Sequence, residues 1–470
     1  MSRSLARNAG YNMIYQLLNA LFPLLSAGYV ARILGPEGVG TVASAQNIVS
    51  YFTMIAVMGI PAYGTREVAR TGENRQALNQ LFSELLALNA ISTAIAAAGF
   101  GLLTVGFFPD SFLLYSVVSL ELLFNFFNID WFYQGREEYG YITARNLVVK
   151  VISLAALFVF VRQKQDYILY ALIHSLAIGC NSCFNIIHAG KSVSVTVRNL
   201  DLNRHLKPVL FLMMSGVTAS LYNKVDITML SAMADPDSVA FYVNSHKVVA
   251  IVLTLVTSIS AVFLPRLSYC YSAEREKYEA YLSQGLKIVL LLAVPACIGL
   301  VLVSEDMMQI LFGTYFLPAA DVLRVLAVFT IIKGAGDILC YQAIISSGNE
   351  RMLIGARIAA GIANILLNAA MIPGYGPVGA AIASVAAEIV VNGMLLRHTL
   401  SFTKVRIEKR YLFSLAVSCT GMMIAVLMIR RLLNHRILSL PASVITGIAV
   451  YGLLLVLTRN ELAEKIMKKH

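Results

Sequence analysis

The chain has 470 residues, 58% of them apolar and 13% charged, with a net charge of +11 and a mean hydropathy of +0.72. Soluble domains run near 45–50% apolar and about 25% charged, so this composition excludes a soluble enzyme, a disordered chain and a disulfide scaffold. Roughly twenty apolar residues cross a bilayer, so the apolar content is enough for about a dozen or more spans and little else.

In chain order the apolar runs fall near 9–31, 39–62, 82–107, 112–133, 146–161, 167–188, 208–232, 238–263, 285–303, 322–346, 352–372, 377–396, 411–429 and 438–457, fourteen in all. They are too long and too uniformly apolar for the alternating strands of a membrane barrel. The expected fold class is therefore an all-α polytopic membrane protein. The expected division is a six-helix bundle over 1–206, a second over 207–400, and two added helices with a cytoplasmic tail over 401–470. Arg3 and Arg7 ahead of the first run resemble a signal peptide. The run continues past residue 30 through Asn12, Gln16 and Asn19 without a cleavage site, so it is expected to stay as the first helix.

Lysine and arginine set the orientation. Charges in the end turns of a span are counted with the adjoining loop, and both termini are placed in the cytoplasm. Inner segments then carry 26 Lys and Arg and outer loops 7, with four lysines inside spans. The two exceptions are Arg162 with Lys164, and Arg430, Arg431 and Arg436. The outer loops at 107–111, 233–237 and 372–377 are too short to hold the chemistry of a membrane glycan polymerase or ligase.

Catalytic and metal motifs are missing. Cys180 and Cys183 form a CxxC with no second ligand pair, so all six cysteines read as small hydrophobes. Gly190-Lys191-Ser192 is a fragment of a phosphate loop, with Asn185 where the first glycine belongs. No metal, cofactor or nucleic-acid partner is expected. Uphill work has to come from a proton or sodium gradient or from coupling to synthesis.

An internal repeat runs through the chain. Pro36-Glu37-Gly38-Val39 and Pro236-Asp237-Ser238-Val239 are 200 residues apart, and so are Ser83 and Leu86 from Ser283 and Leu286. Ala144-Arg145 and Ala356-Arg357 match at 212. Two similar halves are the usual plan of a transporter, with the substrate site near the midplane.

Nine charges fall well inside spans: Glu121, Asp130, Lys150, Lys224, Asp226, Lys247, Lys333, Asp337 and Glu388. Each costs about 2.5–3.5 kcal/mol at a helix centre, so together they would cost on the order of 20–30 kcal/mol against lipid. Folding stabilities are about 5–15 kcal/mol. Most of the nine must face water or partners, which implies a hydrated interior. Lys150, Lys224, Lys247 and Lys333 suggest an anionic cargo, because a buried ammonium needs a counter-charge. Glu121, Asp226, Asp337 and Glu388 are the candidates for ion coupling. Lys333 and Asp337 stand four apart and could instead neutralise each other. Asn12, Gln16 and Asn19 share one face of the first helix, and Glu121, Asn125 and Asn128 one face of the fourth. Asn364 with Asn368, and Glu388 with Asn392, do the same further on. The asparagines fit either a cavity lining or hydrogen bonds between helices.

Three stretches carry a resemblance. They are Tyr29-Val30-Ala31-Arg32-Ile33-Leu34-Gly35-Pro36, Met58-Gly59-Ile60-Pro61-Ala62-Tyr63-Gly64-Thr65-Arg66-Glu67, and Asp130-Trp131-Phe132-Tyr133-Gln134-Gly135-Arg136-Glu137. With the layout of the whole chain, they resemble the polysaccharide transporter (Wzx-type O-antigen and capsule flippase) family of the multidrug/oligosaccharidyl-lipid/polysaccharide exporter superfamily. The resemblance implies two six-helix bundles around a central cavity. It also implies translocation of an undecaprenyl-diphosphate-linked oligosaccharide across the bacterial inner membrane. A glycan polymerase and a chain-length regulator would be partners beside the membrane lipids. Arg32 matches a functional cationic position of that family, and Arg66 and Glu67 match its loop after the second helix. The alternatives are a multidrug cation antiporter of the same superfamily, an intramembrane glycan polymerase or ligase, or a sugar or amino-acid symporter. An antiporter would want carboxylates on the first helix, and there are none.

Overall fold

The computed structural model describes residues 2–72, 74–196, 200–433 and 436–460, without the side chains of 2–21, 215, 218–223, 259 and 261. Every regular element among the described residues is helical. Contacts divide the chain into two compact units, Met1–Lys224 and Val225–His470.

The first unit holds α1 (Ser2–Val57), α2 (Ile60–Thr71), α3 (Arg75–Phe107), α4 (Phe112–Phe124), α5 (Asp130–Gly135), α6 (Tyr139–Phe160) and α7 (Tyr167–Ala189). The second holds α9 (Pro236–Ala273), α10 (Arg275–Phe312), α11 (Ala319–Gly336), α12 (Ala343–Ser346), α13 (Arg351–Phe402), α14 (Lys409–Leu432) and α15 (Arg436–Leu457). Between α7 and α9 in the chain, α8 (Asn203–Met233) contributes its first part to one unit and its second to the other. Among the described residues, ten segments are long and apolar enough to cross a membrane. Arg351–Phe402 contains two of the spans expected from the sequence, and Phe22–Thr71 contains the second expected span and the end of the first. The segments α8 and α11, which carry Lys224, Asp226 and Lys333, are not among the ten.

Length explains why α1 and α13 must break. At 1.5 Å per residue their 56 and 52 residues would make rods of about 80 Å, against a hydrocarbon core of about 30 Å. Each breaks at a single glycine in the left-handed region, Gly35 (φ 71°) and Gly376 (φ 52°), which costs glycine little. Pro36 and Pro377 follow, where a proline suits the first turn of the next helix. The loop expected at 372–377 is thus a one-residue interruption in a helix.

Two further expectations change. The second span ends at Val57, because Met58 (φ 48°) and Gly59 (φ 73°) leave the helix, and α2 starts again with Pro61 in its first turn. The fourth span is not one helix. It stops at Phe124, passes through a 3-10 turn at Asn125–Phe127, and reaches Asn128 in extended backbone (φ −80°, ψ 95°). Asn128 therefore cannot share a helical face with Glu121 and Asn125. Asp337 ends α11 in helical geometry with its N–H bonded to the Lys333 carbonyl, so the two stand one turn apart as expected, and the π-helical turn Asp337–Gln342 widens the register only beyond that point.

Both units pin a connecting strap to a helix in the same way. In the first, Ser194 N–H donates to Asn79 Oδ1 (3.0 Å) and Thr196 N–H to Ser83 Oγ (2.9 Å) on α3. In the second, Lys404 N–H donates to Glu279 Oε1 (2.9 Å) and Arg406 N–H to Ser283 Oγ (3.0 Å) on α10. Two residues of extended chain span about 6.6 Å and four residues of helix about 6 Å, so donors at i and i+2 meet acceptors at i and i+4. Ser83 and Ser283 are the pair that the 200-residue repeat aligns.

Aromatic packing sets the rest of the first unit, with Trp131, Phe132 and Tyr133 of α5 buried against Tyr63, Phe82 and Leu85. Two of the arginines expected in the loop between the last two spans meet one carboxylate of the second unit. Arg430 Nη2 lies 3.1 Å from Asp306 Oδ2 and Arg436 Nε 3.7 Å from Asp306 Oδ1.

Candidate functional site

Asp226, on the second part of α8, is 4% exposed and carries two donors on each oxygen. Asn364 Nδ2 (2.9 Å) and Asn368 Nδ2 (2.7 Å) donate to Oδ1. Tyr242 OH (2.8 Å) and Ser384 Oγ (2.7 Å) approach Oδ2. All these groups are neutral. The break at Gly376 makes this possible, because it lets α13 supply the asparagines from one side of the break and Ser384 from the other. Ser384 Oγ is also 2.9 Å from the Ala380 carbonyl. Asn368 Nδ2 reaches Asn364 Oδ1 at 3.1 Å, and Asn368 Oδ1 is buried with no donor among the described residues. The cage is therefore rich in oxygen and has an acceptor to spare.

A second polar group in the same unit joins Lys333, Glu388 and Asn392. Lys333 Nζ is 3.4 Å from Glu388 Oε2 and lies over the Phe329 ring at 5.1 Å. Asn392 Nδ2 donates to Glu388 Oε1 at 3.1 Å. Lys333 thus pairs across to α13 rather than with Asp337 along its own chain. Lys247 Nζ donates to Asn244 Oδ1 at 3.2 Å.

In the first unit Glu121 Oε1 receives His174 Nδ1 (3.0 Å), Gln46 Nε2 (3.2 Å) and Ser175 Oγ (3.4 Å). Lys150 lies over the Phe22 ring at 5.6 Å, and Arg32 is exposed on α1 just before its break. Asn125 is packed inside the unit at 5% exposure, its carbonyl accepting from Asn89 Nδ2 at 3.2 Å. Asn12 and Gln16 lie outside the described side chains. Asp130 is held by Arg145 Nη1 (3.0 Å) and Asn185 Nδ2 (2.6 Å), which makes it a structural ion pair. Arg66 pairs with its neighbour Glu67 at 2.9 Å.

The structure thus assembles the predicted Asp226 with Asn364 and Asn368, and Lys333 with Glu388 and Asn392. It adds Tyr242, Ser384, His174 and Gln46, which sequence reasoning did not select. Ser384 and Tyr242 give no signal in sequence, since single hydroxyls are common in spans. Of the cysteines, Cys180 is exposed and Cys183 half-buried, whereas the other four are buried. Among the described residues no group of three or more His, Cys, Asp or Glu could hold a metal.

A multi-span helical membrane protein with paired, strapped units and charged groups held inside its helices has the build of a transporter. The profile described as "Polysaccharide biosynthesis protein" matches residues 5–270, and the chain belongs to that family. Among curated relatives, it is 23% identical over 399 residues to a putative O-antigen transporter of Escherichia coli (strain K12), covering 84% of this chain and 96% of the relative. It is 26% identical over 188 residues to the probable low-salt glycan biosynthesis flippase Agl15 of Haloferax volcanii, covering 40% of this chain and 39% of the relative. Its fold is similar to the inward closed conformation of the lipid II flippase MurJ, with TM-score 0.78, 14% identity, and coverage of 96% of this chain and 99% of that one. An inward-facing MATE family multidrug resistance transporter follows, with TM-score 0.65, 14% identity, and coverage of 81% and 94%.

Proposed function

We propose that the chain flips an undecaprenyl-diphosphate-linked oligosaccharide repeat unit across the bacterial inner membrane, for O-antigen, capsule or exopolysaccharide assembly. The observation that carries this reading is the near full-length match to an O-antigen transporter on the fold of a lipid flippase. The chemistry of the cargo supports it. Of its three parts, only the prenyl tail tolerates hydrocarbon. The diphosphate needs cations: Lys150, Lys224, Lys247 and Lys333 serve as point charges, and Arg32 offers a planar guanidinium fork. Asn12, Gln16 and Asn125 are the amide candidates for the sugars, Asn125 only after local repacking. No covalent bond changes, so the chain acts as a transporter and not an enzyme. Both termini lie in the cytoplasm, and a glycan polymerase and chain-length regulator receive the product.

Work against a gradient comes from a coupling ion, sodium or a proton. The cage around Asp226 fits either. Its oxygens include the carboxylate, the Asn364 and Asn368 amides, the Ser384 and Tyr242 hydroxyls and the Ala380 carbonyl, and hard cations prefer oxygen. The spare acceptor on Asn368 has no present donor to lose. Asp337, Glu388 and Glu121 are the other coupling candidates, with Glu388 already engaged by Lys333.

The test is translocation of a fluorescent lipid-linked oligosaccharide in proteoliposomes. Protein-dependent flipping that speeds up under a proton or sodium gradient is the expected result. Flipping indifferent to both gradients removes the coupling, and no flipping removes the function. In cells, Lys224→Ala and Lys247→Ala should each reduce surface glycan while membrane expression persists. Full complementation by both ends the diphosphate role.

A further inference from the structure

Three polar atoms in the first unit stand at hydrogen-bond distance from one another. Gln46 Nε2 is 3.2 Å from Glu121 Oε1 and 3.0 Å from His174 Nδ1, and His174 Nδ1 is 3.0 Å from Glu121 Oε1. The three come from different helices, α1, α4 and α7. The amide of Gln46 is a donor at the shared corner. The edge between Nδ1 and Oε1 then needs a proton of its own, since otherwise two lone pairs would face each other at 3.0 Å. With that proton on Nδ1, the imidazole is neutral, its Nε2 bears a lone pair, and the Glu121–His174 pair has a net charge of −1. A second proton on Nε2 brings the pair to zero.

We propose that Gln46, Glu121 and His174 form a proton-binding site of the first unit, in which Nε2 of His174 takes up the proton and Glu121 holds the resulting imidazolium. The ring is the accessible partner: the His174 side chain is 46% exposed and that of Glu121 13%. A proton reaching the site therefore meets the imidazole first.

Few other charges surround the site. From α3, which packs on α4, no ionisable side chain lies between Glu84 and Phe107. α1 brings only Tyr51 in the segment around Gln46. α7 adds Tyr170, one turn before His174, with ring centroids 6.5 Å apart. Lys150, on α6, lies over Phe22. From α8, Lys224 is within electrostatic reach of Glu121. That electrostatic influence gives the site a consequence. With the pair at −1, Glu121 competes with any other anion for the field of Lys224. With the pair at zero, the competition falls away. Proton uptake at His174 and anion binding at Lys224 thus favour each other, and by linkage the effect is reciprocal.

This second step rests on the anionic cargo proposed above, so the experiment has two independent arms. The first is 15N-histidine NMR of the purified full chain in nanodiscs, with His174 assigned by its absence in His174→Gln. At high pH the wild type should hold the Nδ1–H tautomer, and Glu121→Gln should abolish that preference. An Nε2–H tautomer in the wild type, or one indifferent to Glu121→Gln, overturns the site. The second arm measures binding of a polyprenyl diphosphate across the range in which imidazoles change charge, about pH 5 to 8. Wild type should bind about fivefold or more tightly at the acid end, a typical linkage effect. Glu121→Gln and His174→Gln should bind with no such dependence. Retention of the full dependence in both variants overturns the linkage. If the wild type binds no diphosphate at any pH, the flippase reading fails, while the tautomer still decides the proton site.

Discussion

The two units carry the same scaffold and opposite chemistry. Each lays a strap along a helix through a side-chain pair four residues apart. The ion pairs that finish the straps have reversed polarity. In the first unit the anion is on the helix: Glu84, fully buried, accepts from Asp201 N–H (2.9 Å), Gln80 (3.1 Å), Arg204 and His205 (2.7 Å). In the second the cation is on the helix, as Lys287 pairs with Glu408 on the strap. The inner carboxylates differ as well. Asp226 is closed in by four neutral donors, whereas Glu121 shares its oxygen with an imidazole that is half exposed. A repeat therefore conserves backbone geometry, which depends on spacing, and leaves charge free to diverge.

The comparison is tested most severely at Asp226. Asp226→Asn replaces one acceptor oxygen by an NH2 group that faces donors already in place. We expect loss of transport and a stability loss of about 2–3 kcal/mol from unsatisfied buried donors, read by thermal unfolding in detergent beside the proteoliposome assay. Glu121→Gln should instead keep measurable transport and lose its pH response. If the two variants behave alike, the carboxylates are equivalent and the contrast between the units is empty.

Next in size is the pair of strap ions. Glu84→Gln removes a buried charge that gathers five donors, and charge-assisted hydrogen bonds are worth about 1.5–3 kcal/mol each. A loss of about 2 kcal/mol is expected, with Tyr63 affected too, because its hydroxyl is bonded to His205 at 2.7 Å. Lys287→Met should cost less, under about 1 kcal/mol, since the Glu408 side chain is 59% exposed and exposed pairs contribute little. Equal losses in thermal unfolding would show that polarity does not matter and that only the strap does.

Much of this architecture can be read from one sequence. Apolar length gives the all-helical membrane fold, and the spacing of Asn364 and Asn368 on one face anticipates two donors of the Asp226 cage. Other features depend on backbone irregularity that periodicity does not reveal. Asn128 looked aligned with Glu121 until the helix ended at Phe124. Lys333 and Asp337 do stand one turn apart, yet the Lys333 ammonium meets Glu388 on α13. Long-range partners are also invisible: Arg145 reaches Asp130 and His174 reaches Glu121 only because helices far apart in sequence are packed together. In a chain this apolar, a lone histidine or glutamine carries no sign of which carboxylate it will meet.

The smallest effect tests the repeat itself. Ser83 and Ser283 each accept one strap N–H, from Thr196 and Arg406, and each serine has a neighbour four residues back that holds the strap residue two positions earlier. Removing one hydroxyl leaves a single amide without its acceptor. Ser83 is 3% exposed, so its strap amide has little water to turn to, and Ser83→Ala should cost about 1 kcal/mol. Ser283→Ala should cost somewhat less, because the Arg406 contact is exposed. Hydrogen exchange gives the sharper measurement. Each substitution should speed exchange at its own strap amide and leave the other strap unchanged. Faster exchange at both straps from one substitution would mean that they open as one cooperative element.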